Sequence, residues 1–211
     1  MITFLFDFDG TLADSLLTIV EITNRLAPEF GYRPTPLEEL DALKGYSTRQ
    51  LIRYSGISLL KIPALLRRLR VELKSYDPTI APCAGMPAVI RQLHAQNHAL
   101  AVITSNTPEV VYAFLAAHSL EHCFFSVDGG GTLFGKGRLI VKCLERHRLV
   151  PAETVYVGDE VRDIQAARFA GIQSISVTWG FNSREALAAA QPDWLVDDPE
   201  TLPAIARSLS G

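Results

Sequence analysis

The sequence is poor in the features that define several large classes of protein. Its three cysteines are odd in number and far apart, which fits buried thiols in a reducing compartment better than a disulfide framework or a zinc site. No apolar run reaches the roughly 18 residues of a membrane-spanning helix, and acids interrupt the early apolar run where a signal peptide would lie. A formal net charge of −3 indicates no affinity for nucleic acid or a membrane surface. We therefore expect a soluble cytoplasmic protein, monomeric or homodimeric, with neither nucleic acid nor a membrane as partner.

What the sequence does contain is enough apolar side chain for a substantial core. Hydrophobic residues make up 48% of the 211 residues. Short apolar runs alternate with segments whose apolar residues recur every three or four positions, as on one face of a helix. This alternation predicts an α/β fold with a mostly parallel sheet and helices on both faces. The predicted strands are 2–6, 99–103, 124–127, 154–157, 172–177 and 194–196, and the helices between and after them are 86–96, 107–117, 136–147, 161–170, 183–190 and 199–209.

The stretch between the first strand and about residue 80 has helical patterns and no convincing strand. Pro28 is predicted to close its first helix, and Arg67, Arg68 and Arg70 are interpreted as a solvated face of its last one. We expect a small all-helical unit, residues 14–80, inserted into a core of residues 1–13 and 81–211. Its predicted helices are 14–27, 37–43, 48–54 and 62–73.

Two acids follow the first predicted strand where it ends. Asp7 and Asp9 come after the apolar run, Gly10 permits a sharp turn, and Thr11 offers a hydroxyl. Ligands of open α/β sheets bind beyond the carboxyl ends of strands, so acids in this position are placed for chemistry. Asp and Gly are also ordinary turn residues, and the segment alone does not decide between a site and a turn.

Polar residues also follow the second predicted strand. Thr104-Ser105-Asn106 precedes a helix N-terminus, where hydroxyl, amide and backbone N–H groups suit a phosphate or an oxyanion. A plain capping turn would have the same composition, so both interpretations stay open for this segment.

Asp159 follows the fourth predicted strand, and Asp163 lies one helical turn further along. Acids at such a turn often act as helix caps. At the edge of a sheet that already presents Asp7 and Asp9, however, another carboxylate is costly unless a cation joins them. Oxygen ligands suit Mg²⁺, so the sequence predicts a magnesium site here.

Lys136 ends a glycine-rich segment with two possible meanings. Gly130 to Lys136 has the spacing of a nucleotide-binding P-loop, but the next residue is Gly137, where that motif needs Ser or Thr for Mg²⁺. The second meaning is a lone cation that neutralises a carboxylate and a phosphate oxygen together.

Taken together, these segments resemble the motifs of the haloacid dehalogenase superfamily, in particular its phosphoglycolate-phosphatase-like branch. The resemblance covers nearly the whole chain, and the helical unit resembles the cap that this family inserts after its first motif. The resemblance implies a Rossmann-like core and hydrolysis of a small phosphate ester. The matching segments are Asp7-Phe8-Asp9-Gly10-Thr11, Thr104-Ser105-Asn106, Lys136, Gly158-Asp159 with Asp163, and residues 178–185 with 192–194.

The resemblance also implies roles for these residues. Asp7 would be the nucleophile that forms an aspartyl-phosphate, and Asp9 the general acid and then the general base. Mg²⁺ would be bound by Asp7, by the backbone carbonyl of Asp9 and by Asp159. The phosphate would be held by Ser105, Asn106 and Lys136, and Thr11 and Asp163 would support the site.

Rival activities remain within this family and outside it. Dehalogenases of the superfamily lack the second acid, so Asp9 favours phosphoryl transfer. A sugar-phosphate mutase resembling β-phosphoglucomutase shares part of residues 43–49, although residues 15–22 contain no histidine of the kind that mutase carries. Outside the family, a P-loop protein that uses Gly130 to Lys136 and a fold retained only for binding also stay open. The cap would set specificity, with Lys44, Tyr46 and Arg49 as candidate contacts.

Overall fold

A computed structural model describes residues 1–76, 80–130 and 135–209, apart from the side chains of residues 74–76. Its strands are β1 (Thr3–Phe6), β2 (Ala99–Ile103), β3 (Ser126–Asp128), β4 (Thr154–Gly158), β5 (Gln173–Val177) and β6 (Trp194–Val196). Its α-helices are α1 (Leu16–Phe30), α2 (Leu40–Leu43), α3 (Thr48–Ser55), α4 (Ile62–Tyr76), α5 (Met86–Ala95), α6 (Pro108–Ala117), α7 (Lys136–His147), α8 (Val161–Ala170), α9 (Arg184–Ala189) and α10 (Leu202–Leu209). Short 3₁₀ turns lie at Leu37–Glu39, Leu59–Lys61, Glu121–Cys123, Pro151–Glu153 and Pro199–Thr201.

The six strands form one sheet in the order β3-β2-β1-β4-β5-β6, and every pairing is parallel. The predicted α/β fold with a parallel sheet is therefore confirmed. Along the chain, β2 and β3 are added on one side of β1, and β4, β5 and β6 are added on its other side. The strand order therefore reverses between β1 and β4, which makes this position a topological switch point. In register, Phe6 lies between Val102 and Val157, so the residues after β1, β2 and β4 emerge side by side.

The two faces of the sheet have separate apolar cores because side chains alternate along a strand. Phe4 and Phe6 belong to the larger cluster, whereas Leu5 between them packs in the other cluster with Ile103 and Tyr156. Burying a side chain of this size contributes roughly 1.5–3 kcal/mol. β1 is fully buried and fixes the position of the acids that follow it.

The helices α1 and α4 pack in a third cluster that is distinct from both sheet cores. Ile22, Leu26 and Phe30 of α1 meet Leu73 of α4 there, together with Ile57. The chain leaves the core and returns to it at neighbouring residues, since Asp14 N–H donates to the Ala81 carbonyl over 2.9 Å. These observations support our proposal that residues 14–80 are a helical unit inserted into a core of residues 1–13 and 81–211.

Several predicted boundaries differ from the structure by one to three residues, and two of these differences have a clear physical reason. Helix α1 runs through Pro28 instead of ending before it, because proline fixes a helical φ and costs only one backbone hydrogen bond. The helix ends at Gly31, which has φ +68° and donates to the Ala27 carbonyl. The third strand is β3, beginning at Ser126, where the sequence predicts 124–127, since a 3₁₀ turn continues to Cys123.

None of the helices within the described residues is both long enough and apolar enough to cross a bilayer.

Candidate active site

Asp7 is the first residue after β1 and lies buried at the carboxyl edge of the sheet. Its backbone N–H donates to the Val157 carbonyl over 2.8 Å, which continues the pairing with β4 by one residue. Its Oδ1 accepts from the Phe8 N–H over 2.8 Å. The strand register and this local bond together fix the direction of the carboxylate.

Lys136 joins Asp7 to Asp163 across the site. It is the first residue of α7, is buried, and its Nζ lies 2.5 Å from Asp7 Oδ2 while it also donates to Asp163 Oδ1. Burial lowers the pKa of its ammonium, but Asp163 and Asp7 raise it by more, so the net direction is upward. Lys136 therefore stays charged, and one cation is shared by two buried carboxylates.

Asp159 is fully enclosed after β4. Its Oδ1 accepts from the Thr11 hydroxyl over 2.8 Å, and its Oδ2 accepts from the Phe181 N–H over 2.7 Å. Two glycines make room for it, because a Cβ at Gly10 or Gly180 would lie 2.4 Å or 2.2 Å from Asp159 Oδ2. Gly10 also has φ +77°, a conformation that other residues rarely adopt.

Asp9 lines a cavity together with Ser105 and Asn106 of the core and with residues of α4. Its Oδ1 accepts from the hydroxyl of Ser15, a fully buried residue at the N-terminus of α1. Burial raises the pKa of Asp9, and hydrogen bonds from Ser15 and Asn106 act in the opposite direction. An aspartic acid whose pKa is raised keeps its proton nearer to neutral pH, as a general acid must.

The segment after β2 is held by backbone bonds. Thr104 N–H donates to the Asp128 carbonyl at 3.0 Å, and Asn106 N–H donates to the Thr104 hydroxyl at 2.9 Å. Gly130 N–H donates to the Asn106 carbonyl at 2.8 Å. Ser105 and Asn106 both line the cavity that Asp9 lines. Residues 131–134 of the glycine-rich segment before Lys136 lie outside the described residues.

Acidic groups outnumber basic ones at this edge of the sheet in the part of the chain that is described. The acids are Asp7, Asp9, Asp159, Glu160 and Asp163, and the bases are Lys136 and Arg162. One carboxylate oxygen from each of Asp7, Glu160 and Asp163 lies within 4.8 Å of the others. The side-chain donors are all oxygens and carry excess negative charge, so they fit the predicted Mg²⁺.

Burial, together with the same excess of acids, raises the pKa values of two further acids. Burial raises the pKa of Asp7 to about 7, because Lys136 only partly offsets the loss of solvent and Asp163 adds to it. Burial, with Glu160 and Asp7 nearby, raises the pKa of Asp159 well above its usual range. Both pKa values shift upward, as expected of carboxylates that are placed together to bind a cation.

Three residues that the sequence pattern did not single out complete the site. Glu160 Oε1 accepts from Arg162 Nε over 2.8 Å, and this pair lies beside Asp7 and Asp163. Asn182 accepts from the Val161 N–H and donates to two backbone carbonyls before α3. The neighbouring fourth motif pointed to Glu160 and Arg162. Asn182 lies within residues 178–185, which carry part of the family resemblance, but the sequence assigned no role to it.

The predicted cap contacts lie in different places. Lys44 and Tyr46 meet the core through their backbone carbonyls, which accept from Asn182 Nδ2 at 2.9 and 3.2 Å. Arg49 lines cavities with Thr48 and with other residues, but it does not line the cavity that Asp9 lines. Their proposed role in specificity stays a prediction.

Comparison with known proteins agrees with this arrangement of motifs. Residues 4–177 match the haloacid dehalogenase-like hydrolase family. The chain is 38% identical over 198 residues to a phosphoglycolate phosphatase from Synechococcus elongatus, covering 94% of this chain and 93% of that protein. It is 32% identical over 216 residues to a phosphoglycolate phosphatase from Xylella fastidiosa, covering 95% and 90%. A haloacid dehalogenase-like family hydrolase from Streptococcus pneumoniae has the same fold, with a TM-score of 0.79 at 21% identity over 97% and 98% of the two chains.

The chain belongs to the haloacid dehalogenase-like hydrolase family. The Synechococcus and Xylella relatives, which align over almost its full length, are phosphatases, and this confirms the predicted class of phosphoric monoester hydrolase.

Proposed function

We propose that this protein is a Mg²⁺-dependent phosphatase that hydrolyses a small phosphomonoester, phosphoglycolate or a close analogue, through an aspartyl-phosphate. The observation that carries the proposal is the placement of Asp7, held by Lys136 at 2.5 Å, with Asp9 two residues further along and facing the cavity. The names of the full-length relatives support phosphoglycolate as the substrate.

In the first step, an Asp7 carboxylate oxygen attacks phosphorus and the bond to the ester oxygen breaks. Asp9 gives its proton to the departing alkoxide. Lys136 keeps Asp7 oriented and favours its charged form, and Asp163 holds Lys136 from the other side. Ser105 and Asn106, which both line the cavity, bind phosphate oxygens at the carboxyl edge of β2.

In the second step, Asp9 removes a proton from water while the water oxygen bonds to phosphorus. The bond between phosphorus and Asp7 then breaks and releases phosphate, which returns both carboxyl groups to their starting states. Thr11 supports this geometry by donating to Asp159.

Mg²⁺ would be held by Asp7, the backbone carbonyl of Asp9 and Asp159, where it would offset negative charge on the phosphoryl group. Glu160 is a further carboxylate beside this group, since one of its oxygens lies within 4.8 Å of oxygens of Asp7 and Asp163. We also propose a cytoplasmic location, since Cys83, Cys123 and Cys143 are free thiols.

The arrangement favours this function over its rivals. Lys136 Nζ is engaged by Asp7 and Asp163, which gives the lysine of the apparent P-loop a role in the acid cluster instead of at a nucleotide. A mutase would use the same core residues, and only the reaction products separate the two activities.

Purified protein assayed with Mg²⁺ against phosphoglycolate, sugar phosphates, nucleotides and pyrophosphate tests the proposal. We expect phosphate release from phosphoglycolate, its loss on chelation, and its recovery with added Mg²⁺. Interconversion of sugar 1- and 6-phosphates without phosphate release would favour the mutase. Full activity after exhaustive chelation would contradict the metal role.

A further inference from the structure

The cap presents an arginine to the catalytic cavity. Leu66, Leu69, Arg70 and Leu73 follow the i, i+3, i+4, i+7 spacing of one helix face, and all four line the cavity that Asp9 lines. Arg70 is half-buried, whereas Arg67 and Arg68 on the same helix are exposed. The interpretation of Arg70 as part of a solvated face is therefore wrong, because it occupies a position within an otherwise apolar stripe.

The cavity is polar on its core side and largely apolar on its cap side. The core contributes Asp9, Ser105 and Asn106, which are the proposed proton donor and phosphate ligands. The cap contributes aliphatic side chains and Thr48, and in the described part of the chain Arg70 is its one charged residue there. A half-buried cation is screened less by water than one on the open surface, so it attracts an anionic ligand more strongly there.

The size of the cavity limits what this anion can be. Its volume is about 180 Å³, below the roughly 300–1,000 Å³ of sites for drug-sized ligands. It has room for a phosphoryl group and a short chain with a compact anionic end. A carboxylate fits this space and matches the planar fork of a guanidinium, which can bind both of its oxygens.

A second arginine at the cavity comes from the core side. Arg162 Nε donates to Glu160 Oε1 over 2.8 Å, next to the acids that surround Lys136. Its contact with Glu160 places it at the phosphoryl end of the cavity. Arg70 comes from the cap, where the organic part of a substrate would lie.

From these observations, and resting on the proposed function, we propose that Arg70 binds a substrate carboxylate at the end opposite the phosphoryl group. Arg70 thereby selects short phosphate esters that carry a second negative charge over neutral esters of the same length. It is a specificity residue of the cap, and it takes no part in proton or phosphoryl transfer.

The test compares two esters of equal chain length, phosphoglycolate and 2-hydroxyethyl phosphate, on the unaltered protein and on Arg70→Gln. For phosphoglycolate, we expect kcat/KM to fall roughly 10- to 100-fold in Arg70→Gln, mainly through KM, since a hydrogen-bonded charge is lost from binding. For 2-hydroxyethyl phosphate the change should stay within about threefold. Arg67→Gln, on the exposed side of the same helix, is the matched control and should change neither ester.

Each remaining outcome is decisive. Equal losses on both esters would mean that Arg70 only supports the cap, and no loss on phosphoglycolate would mean that it does not bind the carboxylate. Either result overturns the specificity role while leaving the phosphatase intact. No hydrolysis of either ester by the unaltered protein would instead overturn the proposed substrate, and the role of Arg70 with it.

Discussion

At the residue scale, the enclosure of Asp159 leads to a direct prediction. Alanine at Gly180 would place a Cβ 2.2 Å from Asp159 Oδ2 and 2.4 Å from its Cβ, so the acid must move. We expect Gly180→Ala to lower kcat/KM roughly 100-fold, as a misplacement of about 1 Å in a catalytic site can do. The apparent affinity for Mg²⁺, measured by activity titration, should fall as well.

Gly45→Ala is the control for that substitution, because its Cβ would meet only the Ala42 carbonyl at 3.4 Å, an ordinary contact. Unchanged activity and unchanged Mg²⁺ dependence in Gly180→Ala would show that Asp159 does not need its present position.

The raised pKa of Asp7 predicts how the stability of the metal-free protein depends on pH. In the folded state the Asp7 carboxyl group keeps its proton up to about pH 7, whereas its ordinary pKa is 3.8. The stabilisation that Asp7 gives the folded state is therefore fully present at pH values below its pKa in the unfolded state. It is lost as the pH rises through its pKa in the folded state. We expect the Tm of metal-free protein to fall between about pH 5 and pH 8, and saturating Mg²⁺ to reduce that fall.

Asp7→Asn isolates this effect, since it removes the titrating group and leaves the histidines in place. Its metal-free Tm should vary less over the same pH window. An identical slope in both proteins would show that Asp7 does not hold a raised pKa.

The sequence identified the acids at strand ends because a parallel sheet brings the residues after neighbouring strands together. Asp7 and Asp159 could be predicted in this way from two apolar runs. The pairing of Glu160 with Arg162 and the bond from Ser15 to Asp9 could not, because they depend on how α8 and α1 begin in three dimensions.

At the element scale, Asn182 connects the turn after β5 to the segment before α3. Its Oδ1 accepts from the Val161 N–H at 2.9 Å, and its Nδ2 donates to the carbonyls of Lys44 and Tyr46. Alanine here would remove this partner from the Val161 N–H and the Tyr46 carbonyl, whereas the Lys44 carbonyl keeps its bond from the Ser183 N–H. An unsatisfied buried group costs about 1–3 kcal/mol. We expect Asn182→Ala to lower the free energy of unfolding by that order and to reduce kcat/KM.

Ser183→Ala provides the comparison, because it removes the side-chain cap of α9 while its backbone N–H still bonds to the Lys44 carbonyl. We expect Ser183→Ala to lose stability but to keep nearly normal activity. Equal activity losses in the two variants would indicate that only the stability of the turn matters.

Element types were predictable from periodicity, whereas their ends were less so. Pro28 shows why, since a proline can lie within a helix whose packing compensates for one missing bond. The partial burial of Arg70 could not be predicted either. The periodicity of α4 does not show that the face carrying Arg70 lies over the cavity that Asp9 lines.

At the scale of the whole molecule, we propose that the sheet supplies the reacting groups and that the cap recognises the substrate. The parallel register of β1, β2 and β4 brings the proposed nucleophile, the proposed phosphate ligands and the proposed cation site to one edge. The helices α1 and α4 cover that edge from their own apolar cluster. This division explains why the class of reaction follows from the core motifs, while the substrate depends on side chains of the cap.

The most direct test of the proposed mechanism is to trap the phosphorylated protein. Protein turning over phosphoglycolate with Mg²⁺ is quenched in acid, digested, and searched by mass spectrometry for a phosphorylated peptide. We predict acid-stable, hydroxylamine-sensitive phosphate on Asp7, and neither this adduct nor turnover in Asp7→Asn. Phosphate on another residue, or appreciable turnover by Asp7→Asn, would contradict the mechanism.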